Sequence, residues 1–154
     1  MNPFRLLSVV LVATLFSFNA QADELVINDA WVREGPPTAA VLAGYMRIRN
    51  TGDKDVVISG AESPQFELVE IHRTEVVEGV ARMVPQDELI VPAGESVVLE
   101  PGGLHLMLIQ PVKPLQQGDK VRIGLHLDSD CAAVTAEVRR GETDDSDHSH
   151  HDHH

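Results

Sequence analysis

The chain has 154 residues, 12 of them basic and 24 acidic, with eight histidines and a single cysteine. A net charge of −12 repels phosphate backbones and anionic lipid headgroups, which argues against nucleic-acid binding and against attachment to a membrane surface. Cys131 alone allows no internal disulfide, so the fold must rest on its hydrophobic core.

The first 22 residues read as a secretory signal peptide. Arg5 charges the start, Leu6 to Phe18 forms a 13-residue, largely apolar run, and Ala20-Gln21-Ala22 is an A-x-A cleavage site. The run is shorter than the roughly 20 apolar residues that span a bilayer. No cysteine follows it, so lipid attachment there is not expected. Cleavage after Ala22 leaves 11 basic against 24 acidic residues, a net of −13, in a soluble periplasmic chain beginning at Asp23.

From there the pattern is all-β: short alternating or apolar runs separated by turns, with no long 3.6-residue period. Strands are predicted over Leu25–Trp31, Val41–Arg49, Val56–Ala61, Phe66–Arg73, Val80–Val84, Ser96–Leu99, Leu104–Gln110, Val121–Leu127 and Ala133–Arg139. Gly35-Pro36-Pro37, Asn50-Thr51-Gly52-Asp53, Ser63-Pro64, Pro92-Ala93-Gly94 and Pro101-Gly102-Gly103 are the intervening turns. Regular short strands of this kind build a two-sheet sandwich or barrel. Val121, Ile123 and Leu125 alternate with Arg122, Gly124 and His126, which assigns His126 to a solvated face. Met46 shares parity with Leu42 and Ile48 and is expected to fill the core. Trp31 is expected in the core or against a loop, and Cys131 as a partly shielded thiol at a strand start, in phase with Thr135 and Glu137.

Residues 141–154 differ from the rest. They hold five histidines (His148, His150, His151, His153, His154) and five acidic residues, with nothing apolar to bury. The expectation is a disordered tail whose interrupted histidine tract binds Cu(II) or Zn(II). The domain organisation is thus a signal peptide over 1–22, a β-sandwich domain over 23–140 and a metal-binding tail over 141–154.

Within the body, chemistry concentrates on four residues. Leaving out Met1 and the tail, three methionines and three histidines remain, and His72, Met83, His105 and Met107 are four of those six. Ten residues separate His72 from Met83, twenty-one separate Met83 from His105, and one lies between His105 and Met107. Side chains two apart on a strand leave the same face, so His105 and Met107 project together while Leu104, Leu106 and Leu108 enter the core. His72 is expected at the end of its strand, beside Glu70 and Arg73, with Met83 closing a site at the surface. Neutral imidazole and thioether form a soft donor set that selects Cu(I) over hard cations.

These residues carry a family resemblance. The sequence resembles the periplasmic copper chaperones of the PCuAC type, whose signature is H-x10-M-x21-H-x-M, matched by His72, Met83, His105 and Met107. Ala43-Gly44-Tyr45, Arg49-Asn50-Thr51-Gly52-Asp53, Glu70-Ile71-His72, Val91-Pro92-Ala93-Gly94 and the run from Leu99 to Leu108 match as well. The resemblance spans roughly Glu24 to Asp128. It implies a cupredoxin-like β-sandwich with a shallow Cu(I) site. No Ser-His-Asp or Cys-His set has supporting context, so no enzymatic activity is expected. The resemblance also implies delivery of copper to the dinuclear centre of cytochrome c oxidase, or relay of copper towards uptake; the expected partner is an oxidase subunit or another periplasmic copper chaperone. Some members carry a histidine-rich extension that binds Cu(II), as residues 141–154 would. Arg73 stands where some members have an additional methionine.

Two other functions fit the composition less well. A copper or zinc buffer would work mainly through the tail. A cupredoxin electron carrier would need two histidines, a thiolate and an axial methionine, and the first histidine after Cys131 is His148.

Overall fold

The computed structural model describes residues 24–141; the signal peptide with its cleavage point after Ala22, and the tail histidines from His148 onward, lie outside the described residues. Eleven strands follow one another: β1 (Leu25–Arg33), β2 (Val41–Asn50), β3 (Val56–Ile58), β4 (Gly60–Glu62), β5 (Phe66–Val77), β6 (Val80–Pro85), β7 (Leu89–Val91), β8 (Ser96–Leu99), β9 (Leu104–Pro111), β10 (Lys120–His126) and β11 (Cys131–Arg139). Among the described residues no helix is long and apolar enough to cross a membrane.

Seven of the strands close on themselves. The order β1-β11-β10-β4-β5-β9-β2 returns to its start because β1 also pairs with β2. Closure leaves no open edge along that ring. The second half of β2 carries β8, and the outer part of β5 carries β6. A two-stranded sheet, β3 with β7, is not hydrogen-bonded into the ring but shares its core through Ile58, Leu89 and Val91. Alternation sets the interior. Leu106, Leu108, Val121, Ile123, Leu125, Val32, Ile48 and Val138 are essentially inaccessible, and Met46 is buried among them as its parity predicts.

Three expectations about strands change. Val56–Ala61 is not one strand, because Ser59 donates its backbone N–H to the His126 carbonyl and the chain switches there from the β7 pairing to the β10 pairing. Leu89–Val91, not expected as a strand, is one, paired with β3 and with Leu89 and Val91 buried. Most relevant to the site, β5 does not stop at Arg73 but runs on to Val77 and turns back into β6. Glu78 and Gly79 make the two-residue turn with φ of 53° and 78°. Two successive positive φ values are the geometry of a type I′ hairpin, whose twist matches that of paired strands.

Smaller expectations resolve alongside. Trp31 is half-buried and stacks on Tyr45 with ring centroids 4.7 Å apart. His126 is partly solvated, as expected, and pairs with Glu62 at 3.3 Å. Cys131 is exposed, not partly shielded, because it opens β11 on the outward phase it shares with Thr135. Contact with the protein and the carboxylates of Glu62 and Asp130 push its thiol pKa up, which lowers the thiolate fraction.

Candidate metal centre

The register of three strands brings the four sequence-predicted residues onto one face. His72 on β5 lies directly opposite His105 on β9, and Glu70 lies opposite Met107. On the other side of β5, Thr74 lies opposite Met83 of β6. Directly opposed residues of an antiparallel pair share a face, and residues two apart on one strand share it too. His72, Met83, His105 and Met107 therefore all project from the outer side, while Ile71, Leu104 and Leu106 fill the core. Without the extension of β5 beyond Arg73, Met83 would have no strand to pair with. Arg73 is on the opposite phase from His72 and leaves the other face of β5.

The histidines are not at the surface. His72 is 6% exposed and His105 4%, whereas Met83 is 58% exposed. His72 is also mid-strand, not at a strand end, because β5 continues for five residues past it. An open cleft of about 550 Å³ reaches the cluster, with Met83, His105 and Met107 on its wall beside Arg33, Pro36 and Tyr45. His72 does not line the cleft. His105 thus meets the cleft from a buried position, whereas Met83 stands on its wall largely exposed.

Each imidazole has one nitrogen engaged and one without a partner. The His72 Nε2–H donates to Glu70 Oε2 at 2.8 Å, and the His105 Nδ1–H donates to the Gly103 carbonyl at 3.1 Å. Among the described residues, His72 Nδ1 and His105 Nε2 are buried with no hydrogen-bond partner. Burying a lone pair unpaired costs free energy unless something else uses it. The ring centroids are 6.0 Å apart. Two imidazoles sharing one ion through bonds of about 2 Å place their centres roughly 5 to 6.5 Å apart, so the pair fits a common metal. Among the described residues no three His, Cys, Asp or Glu side chains gather around one point. The thioethers of Met83 and Met107 share the outer face with this pair, and thioether sulfur is a soft donor suited to Cu(I).

Two features of the centre were not assigned a part by sequence reasoning. Glu70 was read only as a charged neighbour, although its position two residues before His72 places it on the same face. The Gly103 carbonyl accepts from both the Thr74 backbone N–H, at 3.0 Å, and the His105 ring. Gly102, at φ 81°, makes the turn that sets this carbonyl against β5.

The closed β-barrel is the fold of PCuAC domains. It superimposes on the apo PCuAC domain from PmoF1 with a TM-score of 0.64 at 18% identity, covering 77% of this chain and 95% of that one. The copper-bound PCuAC domain from PmoF2 gives 0.60 at 21% identity, covering 76% and 92%. The solution structure of CuI-DR1885 from Deinococcus radiodurans gives 0.58 at 28% identity, covering 76% and 78%. Residues 25–139 match the family described as "Putative lipoprotein LpqE-like", and the chain belongs to that LpqE-like family. Among its relatives, "Putative lipoprotein Lxx21020" of Leifsonia xyli subsp. xyli is 28% identical over 134 residues, covering 86% of this chain and 80% of the relative. "Uncharacterized protein RP573" of Rickettsia prowazekii is 32% identical over 93 residues, which span 51% of its length.

Proposed function

We propose that the protein is an exported, non-enzymatic copper chaperone that binds one Cu(I) through His72, Met83, His105 and Met107 and passes it to an acceptor protein. The single observation that carries this reading is the pair of buried, partnerless nitrogens, His72 Nδ1 and His105 Nε2, on the face that also bears both thioethers. The match of those four residues to the H-x10-M-x21-H-x-M signature, and the copper-loaded relatives of the same fold, support it.

The geometry suits transfer. Buried imidazoles hold the ion from one side, and the exposed Met83 is the ligand an incoming donor can displace first. Thioethers need no deprotonation to bind or release, so exchange consists of one soft ligand replacing another with no change of oxidation state. An electron-carrier role fits poorly: Cys131 opens β11 opposite His126 and is not on the cleft wall with His105.

In this reading residues 1–22 are a signal peptide cleaved after Ala22, residues 23–140 are the copper domain, and residues 141–154 are a tail that holds Cu(II) or Zn(II) on His148, His150, His151, His153 and His154. The protein works in the periplasm, and the acceptor is the dinuclear copper centre of a cytochrome c oxidase subunit or a further copper chaperone. The test is direct transfer: mix the Cu(I)-loaded protein with the apo copper domain of the oxidase subunit, separate the two, and assay copper in each. Movement of copper to the oxidase domain supports the assignment; full retention by this protein overturns it.

A further inference from the structure

We infer that Glu70 is a positioning residue that presets His72 to bind copper through Nδ1, while Gly103 presets His105 to bind through Nε2. The inference rests on the copper reading above and adds which atom of each ring is the ligand and what holds it there.

The two imidazoles are held in opposite tautomers. His72 has its hydrogen on Nε2, because that nitrogen lies 2.8 Å from a Glu70 carboxylate oxygen, which only accepts. His105 has its hydrogen on Nδ1, because that nitrogen lies 3.1 Å from the Gly103 carbonyl, which also only accepts. The lone pairs left over are His72 Nδ1 and His105 Nε2, the two ring atoms without any partner. Both ligand atoms therefore stand ready before the ion arrives, and no proton has to leave when it binds.

The carboxylate has a second effect. Glu70 lies on the same face as the cluster and directly across from Met107, while its partner ring is 7% exposed. Four neutral ligands leave the full positive charge on a Cu(I) ion. Glu70 supplies a compensating negative charge one ring away without occupying a coordination position. A carboxylate on the distal nitrogen of a metal-bound histidine fixes ring orientation and raises ligand basicity, and losing it typically lowers metal affinity about 10- to 100-fold.

The test uses the full chain with 15N-labelled histidine, without metal and with Cu(I), as wild type, Glu70→Ala and Glu70→Gln. Ring nitrogen shifts report which atom carries hydrogen and which carries copper, and competition with a chromophoric Cu(I) chelator reports affinity. In the wild type, His72 should show Nε2–H without metal and copper on Nδ1, and His105 the reverse. Glu70→Ala should lose the His72 preference and about tenfold or more in Cu(I) affinity, with the His105 pattern and the circular dichroism spectrum unchanged. Glu70→Gln, whose amide oxygen accepts the same N–H, should recover the His72 tautomer. Copper on His72 Nε2 in the wild type, or Glu70→Ala affinity within twofold of wild type, would overturn this inference alone. A wild-type chain that takes up no Cu(I) would overturn the copper reading and this inference with it.

Discussion

His72 and His105 face one another across β5 and β9 with ring centroids 6.0 Å apart, and each buries one ring nitrogen that has no hydrogen-bond partner among the described residues. A strand pair with Ile71 and Leu106 in the core places two imidazoles opposite each other on its outer face. The neighbouring strands bring Met83 and Met107 to the same side.

Removing either a buried or an exposed ligand should weaken Cu(I) binding without unfolding the protein. His105→Ala and Met107→Ala are each expected to lose at least tenfold in Cu(I) affinity, about 1.4 kcal/mol. Met83→Ala should show its larger effect on the rate of copper release, because Met83 is the most exposed of the four proposed ligands. Chelator competition and stopped-flow release kinetics measure the two quantities.

The barrel should stand without metal. Its core is continuous and apolar, and the candidate ligands lie on the outer face. The apo protein is expected to give β-type circular dichroism and a single cooperative melt. Leu106 is 1% exposed, so Leu106→Ala should cost about 2–5 kcal/mol of folding stability in denaturant titrations. An apo chain without a cooperative transition would mean that the metal is structural.

Tyr45 is the sole tyrosine and lines the cleft beside His105 and Met107. Burial raises its phenol above the ordinary value of 10.0, and the Arg33 guanidinium pulls it partly back. Absorbance titration near 295 nm should give a midpoint above that of free tyrosine, and Arg33→Ala should raise it further. The linkage sign follows: a folded pKa above the unfolded one contributes stability that is complete below the unfolded value and lost as pH rises through the folded one. This contribution therefore disappears only under alkaline conditions.

The tail offers imidazole and carboxylate, which suit Cu(II) or Zn(II) better than Cu(I). Full-length protein should bind more Cu(II) at neutral pH than a chain ending at Arg140. The excess should fade as pH falls through about 6.5, where unperturbed histidines take up protons. Equal Cu(II) stoichiometry in the two chains would reduce the tail to a solubilising extension.

Much of this was legible in the residues. The period-two alternation of Leu104, Leu106 and Leu108 against His105 and Met107 identified the face correctly, as did the parity of Val69 and Ile71 against His72. Hairpin geometry was less visible. Val76 and Val77 continue β5 through an exposed stretch with no alternation, and the Glu78-Gly79 turn shows its meaning only as two positive φ values. The burial of the histidines was not legible either, since a strand pattern tells which side a residue leaves but not what covers that side. β7, three residues between Pro85 and Pro92, is too short for any periodicity to register.

X-ray absorption at the copper edge of the Cu(I)-loaded protein tests the central claim most directly. The account predicts a single Cu(I) environment with both nitrogen and sulfur neighbours, the sulfur signal diminishing in Met107→Ala and the imidazole signal in His105→Ala. A first shell without sulfur, or one unchanged by both substitutions, would contradict it.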